Sequence, residues 1–419
     1  MEKLRQVIIG NSGAALAAIR AIREVDDLSP ITVISDQKYT SYSPVLLTYY
    51  LSGRISWEDL FIAGSDFYNK NKVKTRFGSR AIAVDTSRQI VCLQDDERVE
   101  YDHLLIATGA SPIGLHSSET KLNNVFCLRT IEDAQRILER ARTAKEVVVV
   151  GGGLIGLQTV EAFSRKGLKL TLIEWSKQLL PEMVDVGCAS IIQREIESHG
   201  ITVLLGRKVE GIRELGAKSI IVVDSGEELT ADMVIVGIGL KPNVEMLKSS
   251  GIEVNRGILV DEFMRTNVRN VFAAGDVSEG KNLVTGRAEV LPNWSNACSQ
   301  GRIAGLNMAG CEQKYEGMSE AVTDIFGLIT VSIGLHKTVE GDGLEELCFC
   351  DLKRKRYRKL WFAKNRMVGA VLLGVVQDAG MLKNLIRNKR DISAWAGEVF
   401  KTPLDMRKLL LLVAGVQSR

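Results

Sequence analysis

Two glycine-rich turns, each followed by an acid at the end of an apolar run, are where this chain could do chemistry. The more complete is Gly151-Gly152-Gly153-Leu154-Ile155-Gly156, with Glu174 closing Leu170-Thr171-Leu172-Ile173. Glycines at the first, third and sixth places let the backbone come close to a pyrophosphate, and a helix opening there offers unpaired N–H groups and a favourable dipole. A carboxylate about 20 residues further on reaches a ribose hydroxyl. Gly151, Gly153, Leu154, Ile155, Gly156 and Glu174 therefore read as one nucleotide site. The other turn, Gly10-Asn11-Ser12-Gly13-Ala14-Ala15, keeps one of the three glycines in place, with Gly13 off register. Ser12 and Ala15 are still small enough for close approach, and Asp36 follows the run Ile31-Thr32-Val33-Ile34-Ser35. Glycines that serve only helix-on-strand packing are the competing reading of both turns. If both turns bind, one chain holds two dinucleotides.

The elements that must position these turns are legible around them. Val7-Ile8-Ile9 and Val147-Val148-Val149-Val150 are β-branched runs that deliver the chain to each turn. Tyr101 to Ile106 is a further buried strand and runs into Ala107-Thr108-Gly109. Val234-Ile235-Val236 runs into Gly237 and Gly239, and Val271-Phe272-Ala273 into Gly275-Asp276. Helices are expected over 130–143, 186–199 and 295–309, and His199-Gly200 reads as a helix stop, not as a catalytic histidine. After about residue 316 the pattern turns to hairpins, including 357–363 and 367–374, and then to two helices, with Leu409 to Gly415 on one face of the last. The expected fold class is α/β. Two Rossmann-like domains, 1–115 with 237–315 and an inserted 116–236, precede an α+β domain over 316–419.

Length and composition fit this layout. The 419 residues can bury several cores, and 45% hydrophobic with 25% charged residues is ordinary for a soluble globular protein. A net charge of +3 gives no reason to expect nucleic acid. The first residues show no export signal, and the apolar stretch Leu409 to Gly415 is far short of the roughly 20 residues that span a bilayer. A cytoplasmic location without membrane contact is expected. Seven cysteines, at 92, 127, 188, 298, 311, 348 and 350, show no metal-ligand rhythm, so buried free thiols and no metal are expected. Cys348 and Cys350 would share one side of a strand. The steepest basic run is Lys353-Arg354-Lys355-Arg356-Tyr357-Arg358-Lys359. It reads either as the solvated turn of a hairpin or as a docking surface for an acidic partner.

Two fingerprints about 140 residues apart, Ala107-Thr108-Gly109 between them and Gly275-Asp276 after the second carry a resemblance. The chain resembles the two-dinucleotide-binding-domain flavoproteins of the pyridine nucleotide-disulfide oxidoreductase superfamily, over essentially its whole length. The resemblance implies FAD on the first turn. Gly10, Ser12, Gly13, Ala14, Ala15, Asp36, Ser43, Pro44, Ala81, Thr108, Gly109, Gly275, Asp276 and Trp294 would surround it, with Asp36 on the adenosine ribose and Asp276 on a ribityl hydroxyl. NAD(H) would occupy the inserted domain at Gly151, Gly153, Leu154, Ile155, Gly156, Glu174 and Gly239. NADH is expected over NADPH because Glu174 repels a 2′-phosphate, a preference that nearby Lys177 softens. The third domain would form a homodimer interface.

Disulfide reductases of this superfamily carry a cysteine pair near the second helix of the first domain, and its peroxidase and oxidase branch carries a single one. Here Tyr39 to Tyr50 contains none, and no cysteine precedes Cys92. A thiolate relay needs a thiol, so disulfide reduction and cysteine-based peroxide chemistry are not expected. The segment Tyr42-Ser43-Pro44-Val45-Leu46-Leu47, with Arg358 to Phe362 and Met367 to Leu372, is similar to reductases of iron-sulfur proteins and rubredoxin and to the FAD portion of nitrite reductases. Those relatives pair a Lys near Thr48 with a Glu near Gln158 beside the flavin. Both positions are neutral here, which is coherent because losing one alone would strand a buried charge. The neutral pair is expected to shift the flavin potential or the stability of its semiquinone relative to those relatives. The resulting reading is an FAD-dependent NADH oxidoreductase that exchanges electrons with a small acidic iron-sulfur protein, guided by Lys353, Arg354, Lys355, Arg356, Arg358 and Lys359. Hydride would pass between the rings without a protein acid or base. Two alternatives stand beside it: an NADH oxidase using dioxygen, and an NADH-sensing flavoprotein that acts through a partner.

Overall fold

A computed structural model describes residues 3–115, 122–338 and 343–392. The chain forms two compact units. Met1–Ile113, Arg129–Ala134 and Gly239–Gly317 make the first, and Gly114–Leu128, Gln135–Ile238 and Met318–Arg419 the second. The elements that carry the two turns run, in chain order, as β1 (Gln6–Ile9), α1 (Gly13–Val25), β2 (Ile31–Ser35), β3 (Val73–Phe77), β4 (His103–Ile106), β5 (Val125–Cys127), α2 (Ile131–Ala141), β6 (Glu146–Val150), α3 (Leu154–Ser164), β7 (Lys169–Glu174), α4 (Val186–Ser198), β8 (Thr202–Leu205), β9 (Met233–Val236), β10 (Val271–Ala273) and α5 (Trp294–Met308). Then come β11 (Glu320–Ile325), β12 (Leu328–Gly334), β13 (Glu345–Asp351), β14 (Arg356–Ala363), β15 (Arg366–Leu373) and α6 (Ala379–Arg387).

The first unit is built on a parallel sheet of order β10-β4-β1-β2-β3. Val7, Ile8 and Ile9 of the central strand are buried on both faces, as a parallel sheet with covered faces requires. One face packs against α1 and α5 through Ile8, Leu16, Ile19, Ile22, Leu105 and Met308. The two helices cross closely because α5 presents Gly301 and Gly305 to the backbone of Ala14 and Ala18; a Cβ at either glycine would strike those residues' carbonyl oxygens. The opposite face holds a second cluster that includes Val7, Ile9, Tyr101, Leu104, Ile106 and Val271.

The second unit repeats the design with order β8-β7-β6-β9-β5, again parallel, and Val147 to Val150 at its centre. It also contains an antiparallel sheet of order β11-β12-β15-β14-β13. There Leu360, Trp361, Val371 and Leu372 are buried, and Arg358 forms a buried ion pair with Asp378. His199 does end α4, as its C-cap. The expected last helix with Leu409 to Gly415 lies outside the described residues. Among the described residues no helix is long and apolar enough to cross a membrane.

Candidate functional site

Both turns leave the central strand of a parallel sheet, the point where strand order reverses and a crevice opens. Their backbones are copies of one device. Gly10 N–H donates to Ile34 O at 2.8 Å, and Gly151 N–H donates to Ile173 O at 2.8 Å. Gly10 (φ +117°) lies so close to the Ala107 carbonyl, and Gly151 (φ +111°) to that of Gly237, that a Cβ at either would strike the oxygen. Only glycine combines that φ with that approach. Ser12 and Gly153 are the N-caps of α1 and α3, both extended, and neither uses a side chain to satisfy the helix's first N–H groups. Those donors stay available to an anion. Gly153 faces open space, with nothing within 4 Å of where a Cβ would be, so the second turn has room for a phosphate. Gly156 is a packing residue, since its missing Cβ would meet the Gly151 carbonyl oxygen, while at the corresponding place Ala15 is fully buried.

The same hydrogen bonds fix the register of the strands that follow. Ile34 and Ile173 are counterparts, so Ser35 corresponds to Glu174, and Asp36 to Trp175. The two acids are thus not equivalent. Asp36 lies exposed just past the end of β2. Glu174 is buried, with Oε2 accepting from Gly152 N–H at 2.6 Å and Oε1 from Ser176 N–H at 2.7 Å. Each oxygen keeps a lone pair for a hydroxyl, and the carboxylate also braces the turn.

In the first unit the structure brings Gly109 and Asp276 to a cation that the sequence pattern did not single out, Arg129. Asp133 accepts from the N–H groups of Arg129 and Thr130, and Thr130 Oγ1 accepts from Asp133 N–H, a reciprocal cap that fixes the start of α2. So held, Arg129 Nη2 lies 3.6 Å from Asp276 Oδ2, beside Gly109, while Nε donates to Ala110 O. The Asp276 side chain is only 16% exposed, and burial pushes its carboxyl above the usual range against the lowering effect of Arg129. A half-buried acid with one distant cation is suited to a polyol hydroxyl. Gln300 and Asn243 also act here: Gln300 Oε1 accepts from Gly275 N–H and Ser278 Oγ, and Asn243 exchanges hydrogen bonds with Thr108. Trp294 packs on Gly13, and Ser43 and Pro44 open a short turn ahead of buried Thr48. Ala81 sits on a separate strand, Ala81–Asp85.

In the second unit Leu154 and Ile155 are the first residues of α3. Gln158 reaches Thr323 Oγ1 at 3.4 Å. Gly239 belongs to the first unit, where its carbonyl accepts from Ile113 N–H.

Two expectations need correction. The basic run is not one exposed surface. It straddles a hairpin turn, and strand alternation withdraws Arg358 into the core against Asp378 and lays Lys359 between Glu346 (2.8 Å) and Asp185 (3.6 Å). Lys355 pairs with Glu195, and Arg354 with Asp351. The thiols are not uniformly buried either: Cys188 is, but Cys348 and Cys350 are exposed because β13 is the edge of its sheet.

A family model described as pyridine nucleotide-disulphide oxidoreductase matches residues 4–301. The chain belongs to that family. Residues 324–390 match the rubredoxin NAD+ reductase C-terminal domain. The chain is 32% identical over 415 residues to the NADH-dependent phenylglyoxylate dehydrogenase subunit epsilon of Aromatoleum evansii, covering 98% of each. It is 28% identical over 333 residues to the rubredoxin-NAD(+) reductase of Pseudomonas putida, covering 79% of this chain and 86% of that one. A putidaredoxin reductase–putidaredoxin complex has the same fold, with TM-score 0.90 at 22% identity and full coverage of both chains. Members of the family are flavoproteins that use FAD and NAD(H), and this pyridine nucleotide-disulphide oxidoreductase is an enzyme of that class.

Proposed function

We propose that the chain takes electrons from NADH through FAD and passes them to a small iron-sulfur carrier. The observation that carries this reading is the duplicated turn, two open helix N-termini on matched backbone devices in one chain. Bound FAD supplies a two-electron acceptor that can release electrons singly. Gly10, Ser12, Asp36, Thr108 and Gly109 would hold it, with Asp276 and Arg129 at the polyol and Ser43, Pro44 and Trp294 as walls. Gly151, Gly153, Leu154 and Ile155 would take the NADH pyrophosphate, Gly156 would let α3 pack against that turn, and Glu174 would take the ribose. The first 91 residues carry no thiol, which favours direct outward transfer over a cysteine relay. The C-terminal match to rubredoxin NAD+ reductases favours an iron-sulfur partner. Of the basic run, Lys353, Arg354, Lys355 and Arg356 remain on the surface to meet an acidic one.

Purified holoprotein should bleach near the flavin absorbance maximum with NADH under argon, then turn over with rubredoxin or a ferredoxin at least about tenfold faster than it consumes oxygen. Oxygen consumption as fast as carrier reduction would favour the oxidase reading and overturn this one. A second reading, an NADH-facing subunit of a larger dehydrogenase, is favoured by the full-length match to a subunit epsilon. Slow reduction of every free carrier, with a large complex isolated from the source cells, would select it.

A further inference from the structure

We propose that Trp175 is a specificity-determining residue of the second turn, stacking its indole on the adenine of the bound dinucleotide. The inference rests on the reading of that turn as the NAD(H) site. Trp175 is 74% exposed, the highest value among the large apolar side chains left on the surface of the described residues. An indole so exposed leaves unburied most of the 150–250 Å² that an aromatic side chain can cover.

Its backbone, by contrast, is fixed on both sides. Glu174 O accepts from Arg207 N–H at 3.0 Å, and Ser176 O accepts from Gly206 N–H at 2.9 Å. Ser176 N–H donates to Glu174 Oε1, and Gly152 N–H donates to Oε2 of the same carboxylate. One acid therefore ties the indole's platform to the glycine turn, and the ring is presented on a rigid support.

Chemistry places the base at that platform. In a nucleoside the base hangs on the carbon adjacent to the one bearing the 2′-hydroxyl, so whatever flanks a carboxylate at the ribose also flanks the base. The internal duplication points the same way, because Trp175 is the counterpart of Asp36, the residue that the family resemblance assigns to the adenosine ribose of the first turn's dinucleotide. Stacking accepts any base face, so the choice of adenine over nicotinamide comes from position: the indole flanks the ribose that Glu174 holds, and the nicotinamide lies at the far end of the pyrophosphate. Trp175 thus favours adenine-containing ligands as a class, whichever redox state the other ring is in.

The test uses the FAD-loaded protein and reads tryptophan emission on titration with NAD+, AMP and nicotinamide mononucleotide. NAD+ and AMP should quench part of the emission of the unaltered protein, and nicotinamide mononucleotide should not. Trp175→Phe should lose that quench yet bind NAD+ within about threefold of the unaltered protein, and Trp175→Ala should bind NAD+ about tenfold or more weakly. Calorimetry measures the affinities. Equal affinity of the Ala variant and the unaltered protein overturns the assignment while leaving the site intact. Absence of NAD+ binding to the unaltered protein overturns the site reading and the assignment together. Undiminished NAD+ affinity with slower carrier reduction in the Ala variant would mean that Trp175 faces a protein partner, which also overturns it.

Discussion

A carboxyl that burial pushes above its usual range costs folding free energy whenever it is charged, and Asp276 is such a group. Its folded pKa lies above the unfolded value, so the folded state is favoured while the acid is neutral and loses that advantage as pH rises through the folded pKa. Asp276→Asn removes the charge without removing the shape. Flavin-free Asp276→Asn protein should therefore melt higher than the unaltered protein at pH 7, and the gap should close as pH falls toward the ordinary carboxylate range of about 3.9. The same variant should hold FAD about tenfold or more weakly, because a hydrogen bond to a charged acceptor is lost. Thermal melts and flavin retention on a desalting column check the two halves. A variant that melts lower at every pH would show that Arg129 is the larger influence. Asp276 was legible in the sequence from its glycine neighbour. Arg129, Gln300 and Asn243 were not, because a lone polar residue has no periodicity to betray it, and two of them reach partners far along the chain, 135 positions for Asn243 and Thr108.

Helix pairing decides whether the first turn stands where a ligand could use it. The α1 N-terminus is set by the crossing with α5, and that crossing depends on Gly301 and Gly305 meeting backbone at Ala14 and Ala18. Ala14 lies in the turn itself, so any separation of the helices moves the phosphate-binding end. Gly301→Leu should destabilise the protein by about 3 kcal/mol, the upper end of overpacking costs because the obstacle is backbone. Urea unfolding of the FAD-free protein measures this, and a loss below 0.5 kcal/mol would show that the helices part without strain. The existence of both helices could be read from their flanking strands. The closeness of their contact could not, since a glycine within a helix signals only a weak helix former until its neighbour is known. Strand parity, by contrast, was available in advance: once 357–363 is a strand, Arg358 and Lys359 must point to opposite faces, and the basic run divides.

At the scale of the molecule, two parallel sheets of the same order around their turns were foreseeable because valine and isoleucine runs recur before each glycine. The strand register that pairs Asp36 with Trp175 was not, because a one-residue offset leaves both acids at the end of an apolar run. The distribution of sulfur over the whole chain has a further consequence. The exposed pair Cys348 and Cys350 lies on an edge strand of the antiparallel sheet, Cys188 is a buried thiol that desolvation keeps protonated, and the segment expected beside the flavin has none. Alkylating reagents such as iodoacetamide should label positions 348 and 350 first, as peptide mass mapping would report, while NADH-driven carrier reduction stays within about twofold of the untreated rate. Inactivation in step with labelling would reveal a working thiol after all. An oxidoreductase arranged in this way would tolerate electrophiles and heavy-metal poisons that silence enzymes dependent on a reactive sulfur.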